Sequence, residues 1–281
     1  MSYRTIRTVL EEQTVMEGAG VRLKRIFGFG DTALTDPFLL LDHFGSNDPA
    51  DYMAGFPWHP HRGIETVTYM LEGVVEHMDS MGNRGTIGAG QVQWMTAGSG
   101  IVHQEMPQPM SGIMRGFQLW VNLPAASKMT APRYRDIHAE DIPSVQQDGA
   151  QVQVISGTFA GVPGPAKDII AQPWYFDVRI PPGRSITLDV RVEDTVLCFV
   201  VEGHGWLDEN KTRLFAPDEL AVMTGGNAVL CTAADDGMRF LLMAGKPLRE
   251  PIAWRGPIVM NTDDELHTAF EELRAGTFIK H

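Results

Sequence analysis

The chain has 281 residues, with 23 Lys plus Arg against 35 Asp plus Glu and a formal charge of −12. That length suits two domains, and that charge repels nucleic acid at long range, which argues against direct DNA binding. No apolar run approaches the roughly 20 residues of a membrane span, so no membrane contact is expected. The opening Met1-Ser2-Tyr3-Arg4-Thr5-Ile6-Arg7 has no apolar signal core. Two cysteines, Cys198 and Cys231, make no disulfide framework, and a cytoplasmic protein with reduced thiols is expected.

The 29 Gly and 18 Pro fit a turn-rich β protein. Residues 5–9 and 21–27 alternate as strands around the Gly-rich turn Glu17-Gly18-Ala19-Gly20. Residues 38–41 are an unbroken apolar run, a strand buried on both faces, and His43 just after it reads as a structural histidine bonded to backbone near a barrel mouth. Residues 46–55 carry the breakers Asn47, Asp48, Pro49, Asp51 and Gly55 and form a loop. This loop leads into a pair of histidines and is expected to cover them.

The pair lies in Phe56-Pro57-Trp58-His59-Pro60-His61-Arg62-Gly63, ahead of an alternating run that ends at the turn Glu72-Gly73. In a strand, residues i and i+2 share a face, so His59 and His61 can converge on one ion. His103-Gln104-Glu105 repeats that spacing downstream. Two such pairs on neighbouring strands supply three imidazoles and a carboxylate, a set suited to Fe(II), Mn(II), Ni(II), Cu(II) or Zn(II). Glycines at 73, 82, 85, 88 and 90 between short β-rich runs give the rhythm of hairpins in an antiparallel barrel. Glu65 alternates onto the face of His59 and His61 and is expected as an outer partner, to an arginine or to a ligand N–H. His77 reads as a solvated strand residue, and the methionines around the motif (Met70, Met78, Met81, Met95, Met106) as core filler.

Residues 117–123 form a further strand closed by Pro124, and residues 125–143 change to a charged, Pro-containing connection, partly helical or irregular, with His138 facing solvent. The second half then repeats the first. Matching Glu72-Gly73 to Glu202-Gly203 sets Asp189 over His59 and Arg191 over His61. Matching residues 91–96 to 219–224 sets Cys231 over His103 and Ala233 over Glu105. The rhythm survives and every ligand is replaced, as in an internal duplication with one live site. Cys198 and Cys231 read as small buried thiols. At the end, Thr262-Asp263-Asp264-Glu265 is a capping box, Leu266, Phe270 and Leu273 come next at helical spacing to dock on a barrel, and Gly276 stops the helix.

Three stretches carry a family likeness. Asp36-Pro37-Phe38-Leu39-Leu40-Leu41-Asp42-His43-Phe44-Gly45 resembles the opening signature of the pirin family of bicupins. His59-Pro60-His61-Arg62-Gly63-Ile64-Glu65-Thr66-Val67 resembles its first metal motif, and residues 93–105, ending in His103-Gln104-Glu105, its second. Glu250-Pro251-Ile252 and residues 256–262 resemble the family's tail. The likeness covers nearly the whole chain and is thinnest between about residues 131 and 173.

The resemblance implies an all-β fold of two antiparallel cupin (jelly-roll) barrels packed face to face with a C-terminal α-helix. The division implied is 1–130 for the metal-bearing barrel, and 131–281 for a barrel without ligands plus the helix. The ligands implied are His59, His61, His103 and Glu105, holding one divalent metal, Fe(II) first, with Mn, Ni, Cu or Zn as alternatives. Some pirins have quercetin 2,3-dioxygenase activity, so the implied reaction opens a flavonol-like aromatic substrate with O2 and releases carbon monoxide, Glu105 taking the substrate's proton. Others act through protein partners, so a metal-dependent regulator working by protein contact is the second expectation. A structural zinc in a closed tetrahedral shell is the plainest alternative to both.

Overall fold

The structure, a computed structural model, describes residues 1–109 and 113–281. In chain order the strands are β1 (Thr5–Glu11), β2 (Gln13–Glu17), β3 (Val21–Phe27), β4 (Phe38–Ser46), β5 (Phe56–His61), β6 (Ile64–Glu72), β7 (Val75–Asp79), β8 (Arg84–Ile87), β9 (Val92–Thr96), β10 (Ile101–Pro107), β11 (Met114–Asn122) and β12 (Arg133–Ile137). They continue with β13 (Ser144–Gln147), β14 (Ala150–Ser156), β15 (Thr158–Phe159), β16 (Val162–Pro163), β17 (Trp174–Ile180), β18 (Ser185–Asp189), β19 (Thr195–Trp206), β20 (Glu219–Thr224), β21 (Ala228–Gly245), β22 (Ala253–Arg255) and β23 (Ile258–Met260). Helices are few, the short α1 (Thr32–Thr35) and the C-terminal α2 (Asp263–Ala275), and none is long and apolar enough to cross a membrane.

The chain forms two compact units, and they do not follow the expected cut at 130/131. One comprises Met1–Glu12, Asp31–Pro37 and Glu140–Pro247, the other Gln13–Gly30, Phe38–Ala139 and Leu248–His281. Strand pairing gives the reason. β1 pairs with β20, so the first strand shields what would otherwise be a sheet edge of the second half's unit. Residues 5–9 and 21–27 are therefore not hairpin partners; β3 pairs with β2 across the Gly-rich turn instead. In the other direction, Ile258 bridges to Arg62, and Val259 lies in one buried cluster with Ile64, Met95 and Ile101. The helix α2 comes after β23 there, burying Leu266 and Ala269 against Ala253, Ile258 and Met260. Its Thr262–Glu265 capping box is formed and Gly276 caps it at φ 71, but it belongs to the unit of the histidines and not to the second barrel.

That unit has a seven-stranded sheet, β12-β9-β6-β11-β4-β3-β2, and a four-stranded sheet, β5-β10-β7-β8. Residues 133–137, expected to be part of an irregular connection, form a strand because they pair in register with β9, Arg133 opposite Thr96 through Ile137 opposite Val92. Two cations are buried where the β5–β6 turn meets the C-terminal segment. Arg62 donates from Nε to the Ser99 carbonyl and from Nη2 to that of Phe278, and pairs with Glu272 at 2.8 Å. Lys128 Nζ donates to the carbonyls of Gly63 and Val259 and to Asn122 Oδ1; burial pulls its pKa down to about 8.

The other unit carries β1-β20-β19-β21-β17-β14-β13 with β18 added beside β21. Its interior is solid hydrocarbon: Phe159, Phe176, Phe215, Phe240, Met238 and Leu207 pack with Cys198, Cys231 and Ala233. Both thiols are free and fully buried, and burial pushes the Cys198 thiol up to about 12.

Candidate metal centre

The first ligand strand contains two prolines, which a central strand could not accept because each lacks an N–H. β5 tolerates Pro57 and Pro60 because, among the described residues, it is the edge of its sheet, paired only with β10. The register sets His59 directly opposite His103, and His61 opposite Ile101. Alternation along β10 buries Ile101, His103, Glu105 and Pro107 on one side. The two i, i+2 pairs thus lie on neighbouring strands.

The ligand atoms of His59, His61 and His103 all lie within 4.8 Å of one another, and the ring centroids are 4.4 to 5.0 Å apart. Backbone carbonyls decide two of the tautomers. His59 Nδ1 donates to the Pro57 carbonyl at 2.9 Å, and His61 Nδ1 to the Pro257 carbonyl at 3.2 Å. Both Nε2 atoms are then lone-pair donors, and they face each other at 3.1 Å. Two such lone pairs repel unless a cation or proton sits with them. His103 is 1% exposed, and neither of its ring nitrogens has a hydrogen-bond partner among the described residues. Burial holds both His61 and His103 well below the usual histidine range, so both stay neutral and able to ligate. This donor set fits a borderline divalent transition ion.

Glu105 is not within that 4.8 Å group. It lies beside it, facing His77 across the β10–β7 pair, with a register irregularity between His103 and Glu105 on the β5 side. Thr68 Oγ1 contacts Glu105 Oε1 at 3.1 Å and Gln118 Oε1 at 2.6 Å. One hydroxyl has one hydrogen, so Thr68 donates to the carboxylate while the Gln118 amide turns its NH2 to the Thr68 oxygen. Burial raises the Glu105 carboxyl above the ordinary range, opposed by the field of His59 and by the Thr68 hydrogen bond.

Glu65 is fully buried in β6 and accepts from Thr96, its cross-strand neighbour, at 2.8 Å. His77 is not solvated but 1% exposed, stacked on Tyr134 at 5.0 Å with Nε2 3.5 Å from Asp136 Oδ1. The signal for this was present, since Val75, His77 and Asp79 share one strand face and Val75 is apolar. Burial, and then the Glu105, Asp136 and Asp79 carboxylates, push the Tyr134 phenol upward, so it stays protonated. His43 is buried and stacks on Phe117 at 4.7 Å, and His138 is exposed as expected.

His59 and His61 border a cavity of about 730 Å³ within this unit. Its walls are largely apolar, with Leu23, Leu40, Phe44, Trp120 and Trp254, and His59, His61, Thr68, Glu105 and Gln118 reach into it. Trp120 meets the His61 ring edge-on at 5.1 Å and Trp254 at 5.9 Å, so a row of aromatic rings leads away from the centre.

The other unit has no counterpart among the described residues. Cys231 pairs with Ile186, while Asp189 lies opposite Ala228, so strand register keeps Asp189 and Cys231 apart. No three His, Cys, Asp or Glu groups of the described residues converge wholly inside that unit. Asp189→Ala and Cys231→Ala are accordingly expected to leave metal content, read by elemental analysis, at one equivalent per chain; two equivalents in the parent, or a loss in either variant, would show a second site.

The family model described as Pirin matches residues 20–121, and the Pirin C-terminal cupin domain matches residues 175–279. A Pseudomonas aeruginosa protein named "Putative quercetin 2,3-dioxygenase PA3240" is 45% identical over 280 residues, covering 96% of this chain and 97% of that one. A "Pirin-like protein" of Caulobacter vibrioides is 44% identical, covering 99% of this chain and all of that one. Among solved structures, quercetin 2,3-dioxygenase from Acinetobacter baumannii superposes with a TM-score of 0.90 at 35% identity, covering 99% of each chain.

Proposed function

Because the chain belongs to the pirin family, we propose that it is a metal-dependent dioxygenase that opens a flavonol such as quercetin with O2 and releases carbon monoxide. The metal is one divalent transition ion, Fe(II) in the first place with Mn, Ni, Cu or Zn as alternatives, held by His59, His61, His103 and Glu105. The names carried by the relatives support the reaction class. The observation that carries the reading is the opening of the histidine cluster onto a cavity of about 730 Å³, within the size range of small-molecule sites. A structural zinc needs no such access, because its ligand shell is closed.

A bound ion would supply Lewis acidity toward the substrate hydroxyl and, for the redox-active ions of that set and not for Zn, electron exchange with O2. The protein's part is positioning and proton transfer. The apolar walls receive the flat rings and exclude water. Once off the metal, Glu105 takes the proton of the flavonol hydroxyl, for which its burial-raised pKa suits it, while Thr68 holds Oε1.

Glu105→Gln tests this. An amide retains the shape but accepts no proton at neutral pH. Reloaded to equal metal occupancy, the variant is expected to bind the flavonol, read by the shift in its absorption band, and to consume O2 at least about tenfold more slowly, the low end of the cost of losing a general base. Undiminished turnover would remove Glu105 from proton transfer. Absence of turnover in the parent with iron, manganese, nickel and copper alike would sink the enzyme reading and leave regulation by protein contact.

A further inference from the structure

The cavity wall carries one polar row in an otherwise apolar surface. Strand register places Arg25 of β3 opposite Asp42 of β4, Asp42 opposite Gln118 of β11, and Gln118 opposite Thr68 of β6. Directly paired residues share a sheet face, and all four line the cavity. The row parallel to it, Leu40–Trp120, contributes two apolar walls. At one end of the polar row stands the Thr68–Glu105 contact beside the histidines. At the other, Arg25 grips Asp42 with two hydrogen bonds, Nε at 2.9 Å and Nη2 at 2.8 Å, and reaches Glu17 from Nη1 at 2.9 Å.

Stability does not account for an ion pair in that position. Asp42 is 5% exposed, and a buried ion pair is commonly matched or bettered by apolar residues of the same volume. The arginine is also under-used: among the described residues, three of the five guanidinium N–H donors are engaged. The rest can meet a ligand, and the Glu17 and Asp42 carboxylates beside them can accept from one. A group that both accepts and donates hydrogen bonds, such as a phenol or catechol, satisfies both halves of the pair.

We infer that Arg25, Asp42 and Glu17 form the distal substrate subsite of this cavity, selecting aromatic ligands that carry hydroxyl groups at the end remote from the metal. Strand spacing sets the span of the row: the backbone of Arg25 is roughly 10 Å from that of Gln118 and roughly 14 Å from that of Thr68, two and three strands away, and side chains from both ends shorten the gap a ligand must bridge. The apolar rows between them fit a flat ring system. This rests on the flavonol reading and adds to it the discrimination between a bare flavonol and a polyhydroxylated one.

The test compares two probes, quercetin and 3-hydroxyflavone, which shares the metal-binding oxygens but has no distal hydroxyls. Dissociation constants are measured by absorption titration on the metal-loaded parent, on Arg25→Met/Asp42→Leu, and on Glu17→Gln. The double substitution leaves neither charge buried alone. The Glu17 side chain is 41% exposed, so its substitution leaves the buried pair intact should the double variant fail to fold. The double variant is expected to weaken quercetin by about tenfold or more, and Glu17→Gln by about threefold, with 3-hydroxyflavone affinity and metal content unchanged in both. Equal losses for the two probes, or no loss for quercetin, would overturn the subsite while leaving the flavonol reading in place. Failure of the parent to bind either probe would overturn that reading and the subsite with it.

Discussion

His103→Ala is expected to abolish metal loading and leave the fold intact. His103 stands at the meeting point of the two ligand strands, directly opposite His59, and removing one of three converging imidazoles breaks the donor set. The fold should persist because neither ring nitrogen of His103 holds, among the described residues, any hydrogen bond that the substitution would break. The neighbouring strands are specified by their own alternation and pairing. Elemental analysis should find less than about a tenth of an equivalent of metal in the variant. Thermal denaturation gives the second readout. A ligand bound only by the native state at 100 times its dissociation constant adds about 2.7 kcal/mol of stability, so added nickel or iron should raise the melting temperature of the parent and not of the variant. Full occupancy in His103→Ala would overturn the assignment of this centre.

Gly63→Ala is expected to be more damaging than the same change at any other of the described glycines. Gly63 stands two positions after the second ligand histidine and has φ +79, where a side chain is strained. A Cβ built there would stand 1.9 Å from the Val259 carbonyl oxygen, which is backbone and cannot swing aside. The same turn donates from Gly63 N to the Gly98 carbonyl, and its own carbonyl accepts from Lys128. Relieving the clash means parting β23 from the β5–β6 turn. That frees the Pro257 carbonyl from His61, the Val259 amide from Arg62 and the Val259 carbonyl from Lys128. The expected loss is about 4 kcal/mol or more, in the range reserved for backbone strain combined with a broken buried network. Chemical denaturation reads the loss, and metal affinity should fall with it because Pro257 sets the His61 tautomer. A variant within about 1 kcal/mol of the parent would show that the turn yields without cost.

The candidate ligands were legible because their chemistry is local. His59 and His61, and His103 and Glu105, are i, i+2 pairs on strands, and period 2 alone says that each pair shares a face. The missing ligands in the repeat were legible for the same reason, since Cys231 and Ala233 stand where His103 and Glu105 stand in the matching strand. Alternation was misapplied at His77, whose face is given by Val75 two residues earlier. It was insufficient at Glu65, whose partner Thr96 is on another strand and is found only through register.

What the sequence determined by itself is the β class, the two i, i+2 pairs that share a strand face, the capped C-terminal helix and the absence of a matching pair in the second half, all of which depend on residues a few positions apart. What the tertiary structure decided is which unit each terminal segment joins, and which residues line the cavity beside the histidines. Pro257 reaches His61 across 196 positions, Arg62 reaches Phe278 across 216, and Arg25 meets Asp42 through strand pairing. No periodicity encodes such partners, because a strand's pattern fixes which side chains share a face but not which strand lies beside it. That choice is made by packing and by satisfying buried donors and acceptors over the whole unit at once.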